Sequence, residues 1–195
     1  MTCARTWRRG SGLVAFTMNV PSAGQPVATM ARWAVALLKH VRLVGSISSV
    51  SLSTHTEEDA QTWTSDQIVE SDIIDRIQSC DDLASVTCTC DLSFTTLDGT
   101  RSDIPSGLMA YVEFANRDKP DPDAPLESTI ILDTDIYAAV SWGEDRDNRD
   151  LSRLNAPTFN RFLEEFANEL SGDAFGVDGP DYSGQVNVRG FVIPV

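Results

Sequence analysis

Between residues 86 and 95, Val86, Cys88, Cys90, Leu92 and Phe94 alternate with Thr87, Thr89, Asp91, Ser93 and Thr95. A period of two over ten residues gives an extended chain one apolar and one polar face, and it excludes a helix there. A sheet with one wet face is characteristically antiparallel, and its apolar face must be covered by other elements. Both thiols point with valine, leucine and phenylalanine, into that covered side. Two apart on one strand, Cys88 and Cys90 stand roughly 7 Å from each other, too far for a disulfide without distortion. A tetrahedral zinc site would need Cys80 and His40 or His55 as well, and no paired C-x-x-C knuckle is present. The expectation is therefore buried free thiols, no cofactor, and a reducing, cytoplasmic setting.

The punctuation around this strand places the remaining elements. Thr29 reads as the cap of a helix running to about Gly45, with Leu43, Ile47, Val50 and Leu52 forming a strand after it. Thr64 and Gln67 form a capping box, with Trp63 stapling onto Ile68, ahead of an apolar stripe at Val69, Ile73, Ile77 and Cys80. "LDGT" (97–100) is a turn, and a strand over about 108–114 pairs antiparallel with 86–97 across a loop longer than a tight hairpin. "STIILDTDIYAAVSW" is either one long strand or two strands around Asp133 to Asp135. A third helix opens near Pro157, buries Phe159, Phe162, Leu163, Phe166 and Leu170, and stops at Gly172. "QVNVRGFVIPV" closes the chain as a strand. The predicted fold is α+β: a single domain with an antiparallel sheet and two or three helices packed mainly on one face.

Residues 1–29 stand apart in this reading. A basic start, a short apolar centre from Leu13 to Val20 and small residues at Ser22 and Ala23 suggest a disordered, mis-started or targeting segment. Residues 30–195 form the expected folded unit.

Charge divides the chain unevenly. The first 56 residues hold six Arg or Lys and no acid, so the remaining 139 carry 29 acids against nine bases, a net of −20 in a chain of −14 overall. Such a body repels nucleic-acid phosphates and anionic lipid, and it attracts basic proteins. No apolar stretch is long enough for a membrane span; "MARWAVALLKHVRLV" (30–44) is broken by Arg32, Lys39 and Arg42.

Catalytic signatures are sparse. "IILDTDIY" ends an apolar run in Asp133-x-Asp135, the way metal-dependent glycosyltransferases present two hard oxygen ligands to a divalent ion, but no alternating strand and helix pattern precedes it. Two aspartates also suit a turn between strands. "GDAFGVDGPDYSG" (172–184) reads as a Gly-Asp turn region, and "DRDNRD" lacks the glycine and glutamate of an EF-hand loop. No G-x-S-x-G, Walker loop or G-x-G-x-x-G occurs.

Over about residues 126–195, "RLNAPTFNRFLEEFANELSG" followed by "DYSGQVNVRGF" resembles the layout of bacterial polymorphic-toxin immunity proteins: an asparagine before an amphipathic helix, a loop, and a strand ending in a glycine-aromatic pair. The resemblance implies a non-enzymatic inhibitor whose partner is a basic protein, a cognate toxin such as a nuclease. The acids expected to meet that partner are Asp133, Asp135, Glu144, Asp145, Asp147 and Asp150. The alternatives are a metal-dependent glycosyltransferase-like enzyme using Asp133 and Asp135, and an interaction domain with no toxin partner.

Overall fold

The computed structural model describes residues 7–56, 61–64, 70–80, 82–116, 120–141 and 146–195. Seven strands form one antiparallel sheet: β1 (Arg9–Val20), β2 (Gly45–Thr54), β3 (Gln61–Thr64), β4 (Leu83–Thr95), β5 (Arg101–Phe114), β6 (Leu126–Thr134) and β9 (Gly176–Asp178). Their order across the sheet is β3-β2-β4-β5-β6-β1-β9. Two small hairpins, β7 (Val140–Ser141) with β8 (Arg146–Asp147) and β10 (Val186–Asn187) with β11 (Gly190–Phe191), lie outside it. Three helices, α1 (Pro26–His40), α2 (Glu70–Ser79) and α3 (Arg149–Leu170), pack against the sheet, as the α+β reading requires. No described helix is long and apolar enough to cross a membrane.

The alternation in β4 is borne out: Val86, Cys88, Cys90, Leu92 and Phe94 are buried, and the intervening residues are half-exposed or exposed. Burial pushes the Cys88 thiol up to about 12, while Cys90 is raised by burial and then by the neighbouring Cys88 charge. The thiolate is the reactive form, so neither sulfur should react in the folded state. Iodoacetamide at mildly alkaline pH is expected to leave both unmodified in native protein and to alkylate both in urea, read by mass spectrometry. Native-state alkylation of either would contradict the packing.

Residues 9–20 correct the expectation that the first 29 residues lie outside the fold. β1 inserts between β6 and β9, and Val14, Phe16, Met18 and Val20 are buried in the core. Phe16 meets Phe159, Phe175 and Phe191 at centroid distances of 5.8–6.1 Å. Helix α1 begins at Pro26 rather than after Thr29, because proline's fixed φ and missing N–H suit a first turn. Its buried stripe includes Met30, Trp33, Ala34 and Leu37. The Trp33 indole N–H donates to Ser128 Oγ at 2.7 Å, which satisfies a polar atom on the covered side of β6.

Further boundaries differ for local reasons. Trp63 and Thr64 lie in β3, opposite Val50 and Ser49, and the Arg76 guanidinium sits 4.6 Å over the Trp63 ring. Gln67, Ile68 and Val69, the rest of the expected cap and stripe, lie outside the described residues. β4 and β5 join through a tight turn at 96–100, where Thr96 and Thr100 hydrogen-bond the Asp98 carboxylate and hold it down to about 2. β6 ends at Thr134 and β7 starts at Val140, so the run is two strands around a turn, the second strand short. Helix α3 starts eight residues before Pro157, and that proline sits inside the helix at an exposed position. Ser171 in a left-handed conformation ends α3, and Gly172 follows where a Cβ would stand 2.7 Å from Met18 Sδ. The closing segment is the β10–β11 hairpin, not a strand of the main sheet.

Helices α1 and α3 are clamped by charge. His40 Nε2 lies 2.6 Å from Glu169 and its Nδ1 lies 3.3 Å from Glu165, while Lys39 also reaches Glu169 at 2.6 Å. The Lys39 and His40 hydrogen bonds hold the Glu169 carboxyl below its usual range.

Candidate interaction surface

The sheet's other face is not covered by the three helices, and the register aligns its outward side chains in rows. One row crosses all seven strands: Thr64, Ser49, Thr89, Met109, Ile131, Ala15 and Asp178. The next runs Thr62, Ser51, Thr87, Tyr111, Thr129, Thr17 and Gly176. A third runs Ser53, Ser85, Glu113, Glu127 and Asn19. Hydroxyl pairs tie neighbours within the second row, Ser51 to Thr62 at 2.8 Å and Thr17 to Thr129 at 3.0 Å. The result is a broad hydroxyl-lined face with Met109, Tyr111 and Ile131 half-exposed at its centre.

Charge separates the two sides of the molecule. On the described side chains of α1, α2 and α3, Arg32, Lys39, Arg76, Arg149, Arg153 and Arg161 balance Asp72, Asp75, Asp150, Glu164, Glu165 and Glu169. The sheet strands instead present Asp91, Asp103, Glu113, Glu127, Asp133 and Asp178, with Arg101 the one arginine among β2 to β6 and β9. Glu113 stands directly opposite Glu127, an arrangement of like charges that costs stability in an isolated sheet. Part of this acid serves the backbone: Asp91 accepts from the Ser106 N–H at 2.7 Å where β5 bulges, and Asp133 accepts from Gly12 N–H at 2.7 Å where β1 bulges.

The six acids expected at a partner contact do not form one patch. Asp135 is fully buried, which corrects its assignment to a contact surface. Its Oδ1 accepts from the Arg8 N–H at 2.5 Å, and its Oδ2 accepts from Ser141 Oγ at 2.7 Å and Tyr182 OH at 3.1 Å. Burial, then the Asp135 charge, pushes the Tyr182 phenol up, so it stays a donor. Asp133 lies half-exposed on the open face. Asp147 and Asp150 are exposed at the start of α3, each beside an arginine, Arg149 at 3.6 Å and Arg153 at 2.9 Å. Glu144 and Asp145 lie outside the described residues.

The Asp133-x-Asp135 pair is split in the same way: one carboxylate faces out from the sheet and the other is sealed beneath it by three donors. Among the described residues, no three His, Cys, Asp or Glu side chains gather as metal ligands. No protein-family model, curated protein or solved structure matches the chain.

The residues behind the layout at the C-terminal end are backbone clamps. Asn148 Nδ2 donates to the carbonyls of Asp135, Ile136 and Ala138. The Asn155 amide pairs with Thr95 N–H and C=O. Asn160 pairs with both backbone groups of Phe191 at 2.8 Å.

Proposed function

We propose that the chain is a stoichiometric inhibitor that binds a basic protein, in the manner of the toxin-neutralising immunity proteins its C-terminal layout resembles, and that it docks through the open sheet face. The observation that carries this reading is the asymmetry of that face: a half-exposed Met, Tyr and Ile centre, a surround of hydroxyls and a net acidic rim, opposite a charge-balanced helical side. Aromatic and Met side chains at the centre with a polar rim match the anatomy of protein interfaces, and the acid steers a cationic partner into register.

The test is the product of the adjacent reading frame. Co-expression should relieve its toxicity, and the two chains should co-elute with a salt-sensitive affinity. Ile131→Arg, placing a cation at the centre of the face, is expected to weaken the complex roughly hundredfold, about 2.7 kcal/mol, with the melting temperature little changed. No binding to that product and no relief of growth arrest would end the proposal.

A further inference from the structure

Six large apolar side chains stand exposed among the described residues, and four of them, Val188, Val192, Ile193 and Val195, fall within residues 188–195. Scattered exposed apolar groups are ordinary, but a cluster marks a contact surface. These four do not hang on a loose tail. The Val192 N–H donates to Gln185 O at 2.9 Å, and Asn160 holds both backbone groups of Phe191. Arg153 donates to the carbonyls of Pro194 and Val195 at 3.0 and 2.7 Å. The segment is therefore a ridge whose backbone is ordered before anything binds, which lowers the entropy cost of association.

Beside the ridge, a groove of about 760 Å³ runs along α3. Its floor carries Pro157, Arg161, Glu164 and Asn168, at the three- and four-residue spacing of one helix face, turned away from the buried Phe159, Phe162 and Phe166. Val188 and Ile193 line one of its walls, so ridge and groove share a single side of the molecule. At about 30 Å³ per water the space equals about 25 waters, room for several side chains.

Charge decides what fits. The chain carries 29 acids against 15 bases, so two copies repel over most of their surfaces. Around the groove the sum is zero: Arg161 and Arg189 stand against Glu164 and Asp173, all four exposed. Among the described residues, Arg161 alone of these is in an ion pair, with Glu165 at 2.7 Å. A basic partner gains nothing here over the acidic sheet face, whereas a surface with both signs in equal number does, and this face is itself such a surface.

We propose that this face joins two copies of the chain about a two-fold axis, the 188–195 ridge of each lying in the α3 groove of the other. A two-fold interface pairs one patch with itself, which requires bump and hollow side by side and opposite charges in balance. Both are present. The contact leaves the open sheet face of each copy free, so it stands or falls independently of the inhibitor reading.

Sedimentation of the full chain from about 5 to about 500 µM is the test. A reversible equilibrium between one and two copies is expected, tightening as sodium chloride rises because salt screens the repulsion between acidic chains. That is the opposite of the salt response expected for a basic partner on the sheet. Val188→Asp with Ile193→Asp, both at exposed positions, should weaken the dimer roughly tenfold or more, and Ile131→Arg on the sheet should leave it unchanged. Arg161→Glu with Arg189→Glu, and separately Glu164→Arg with Asp173→Arg, should each give a monomer alone and a dimer when the two are mixed. Thermal melts by circular dichroism check that every variant is folded. The proposal would be overturned by a chain that stays monomeric to the top of the range, or by association that grows past two copies. A dimer that survives Val188→Asp with Ile193→Asp, a dimer lost in Ile131→Arg, or charge-reversed variants that do not restore each other would overturn it equally.

Discussion

Replacing Asp135 by alanine is expected to destabilise the protein by about 3–5 kcal/mol, the range seen when one member of a buried polar set is removed. The carboxylate accepts from the Arg8 N–H, Ser141 Oγ and Tyr182 OH at 2.5–3.1 Å, and Tyr182 and Ser141 are both buried. Deleting it orphans three donors at once, and each unsatisfied buried group costs about 1–3 kcal/mol. Those donors come from the chain just before β1, from β7 and from the turn after β9, so the lesion loosens three segments that converge on this carboxylate. Asp133→Ala is the matched control. Its one partner is the exposed Gly12 N–H, which water can satisfy, so its cost should stay under about 1 kcal/mol. Urea titration of both variants decides the matter. A cost below about 1 kcal/mol for Asp135→Ala would mean that its carboxylate is not holding the fold and would reopen the pair as a site for chemistry.

That contrast also marks what the sequence could reveal about these two residues. Asp-x-Asp after an apolar run signals a strand end, and β6 does end at Thr134. Whether the second aspartate faces a ligand or a set of donors depends on Arg8, Ser141 and Tyr182, which lie 127, 6 and 47 positions away. No local pattern carries that information. β1 is a different case, because Val14, Phe16, Met18 and Val20 alternate with Ala15, Thr17 and Asn19 as clearly as the residues of β4 do. Its basic start and small residues matched an export-signal pattern, and that competing reading obscured a period that was present. The first two turns of α3 were hidden for a physical reason. Its inward side there mixes Leu151 with Ser152 and Asn155, buried polar residues held by Tyr137 O and Thr95, so an unbroken apolar stripe begins only at Ala156 and Phe159. The open face was half legible. Alternation identifies outward residues strand by strand, but the rows that bring Met109 beside Ile131, and Glu113 beside Glu127, follow from pairings between strands distant in sequence.

The glycine-aromatic pair that ends the chain's recognisable layout gives the second large effect. Gly190 has φ +111°, and a Cβ there would stand 2.1 Å from Asn160 Oδ1. Alanine therefore meets two penalties: a backbone conformation that costs about 1–3 kcal/mol for an L side chain, and expulsion of the Asn160 amide from both of its hydrogen bonds to Phe191. At about 1 kcal/mol for each bond, the total expected for Gly190→Ala is about 3–5 kcal/mol. Phe191 is 2 % exposed and touches Phe16, Tyr137 and Phe159, so detaching it opens the aromatic core from its C-terminal side. Asn160→Ala alone should cost about 2 kcal/mol. Because both substitutions break the same two bonds, the double variant should be hardly less stable than Gly190→Ala, leaving a coupling of about 1.5–2 kcal/mol in a double-mutant cycle. Additive costs would show instead that glycine is needed for its backbone angle alone, and that Asn160 holds the hairpin independently of the residue beside it.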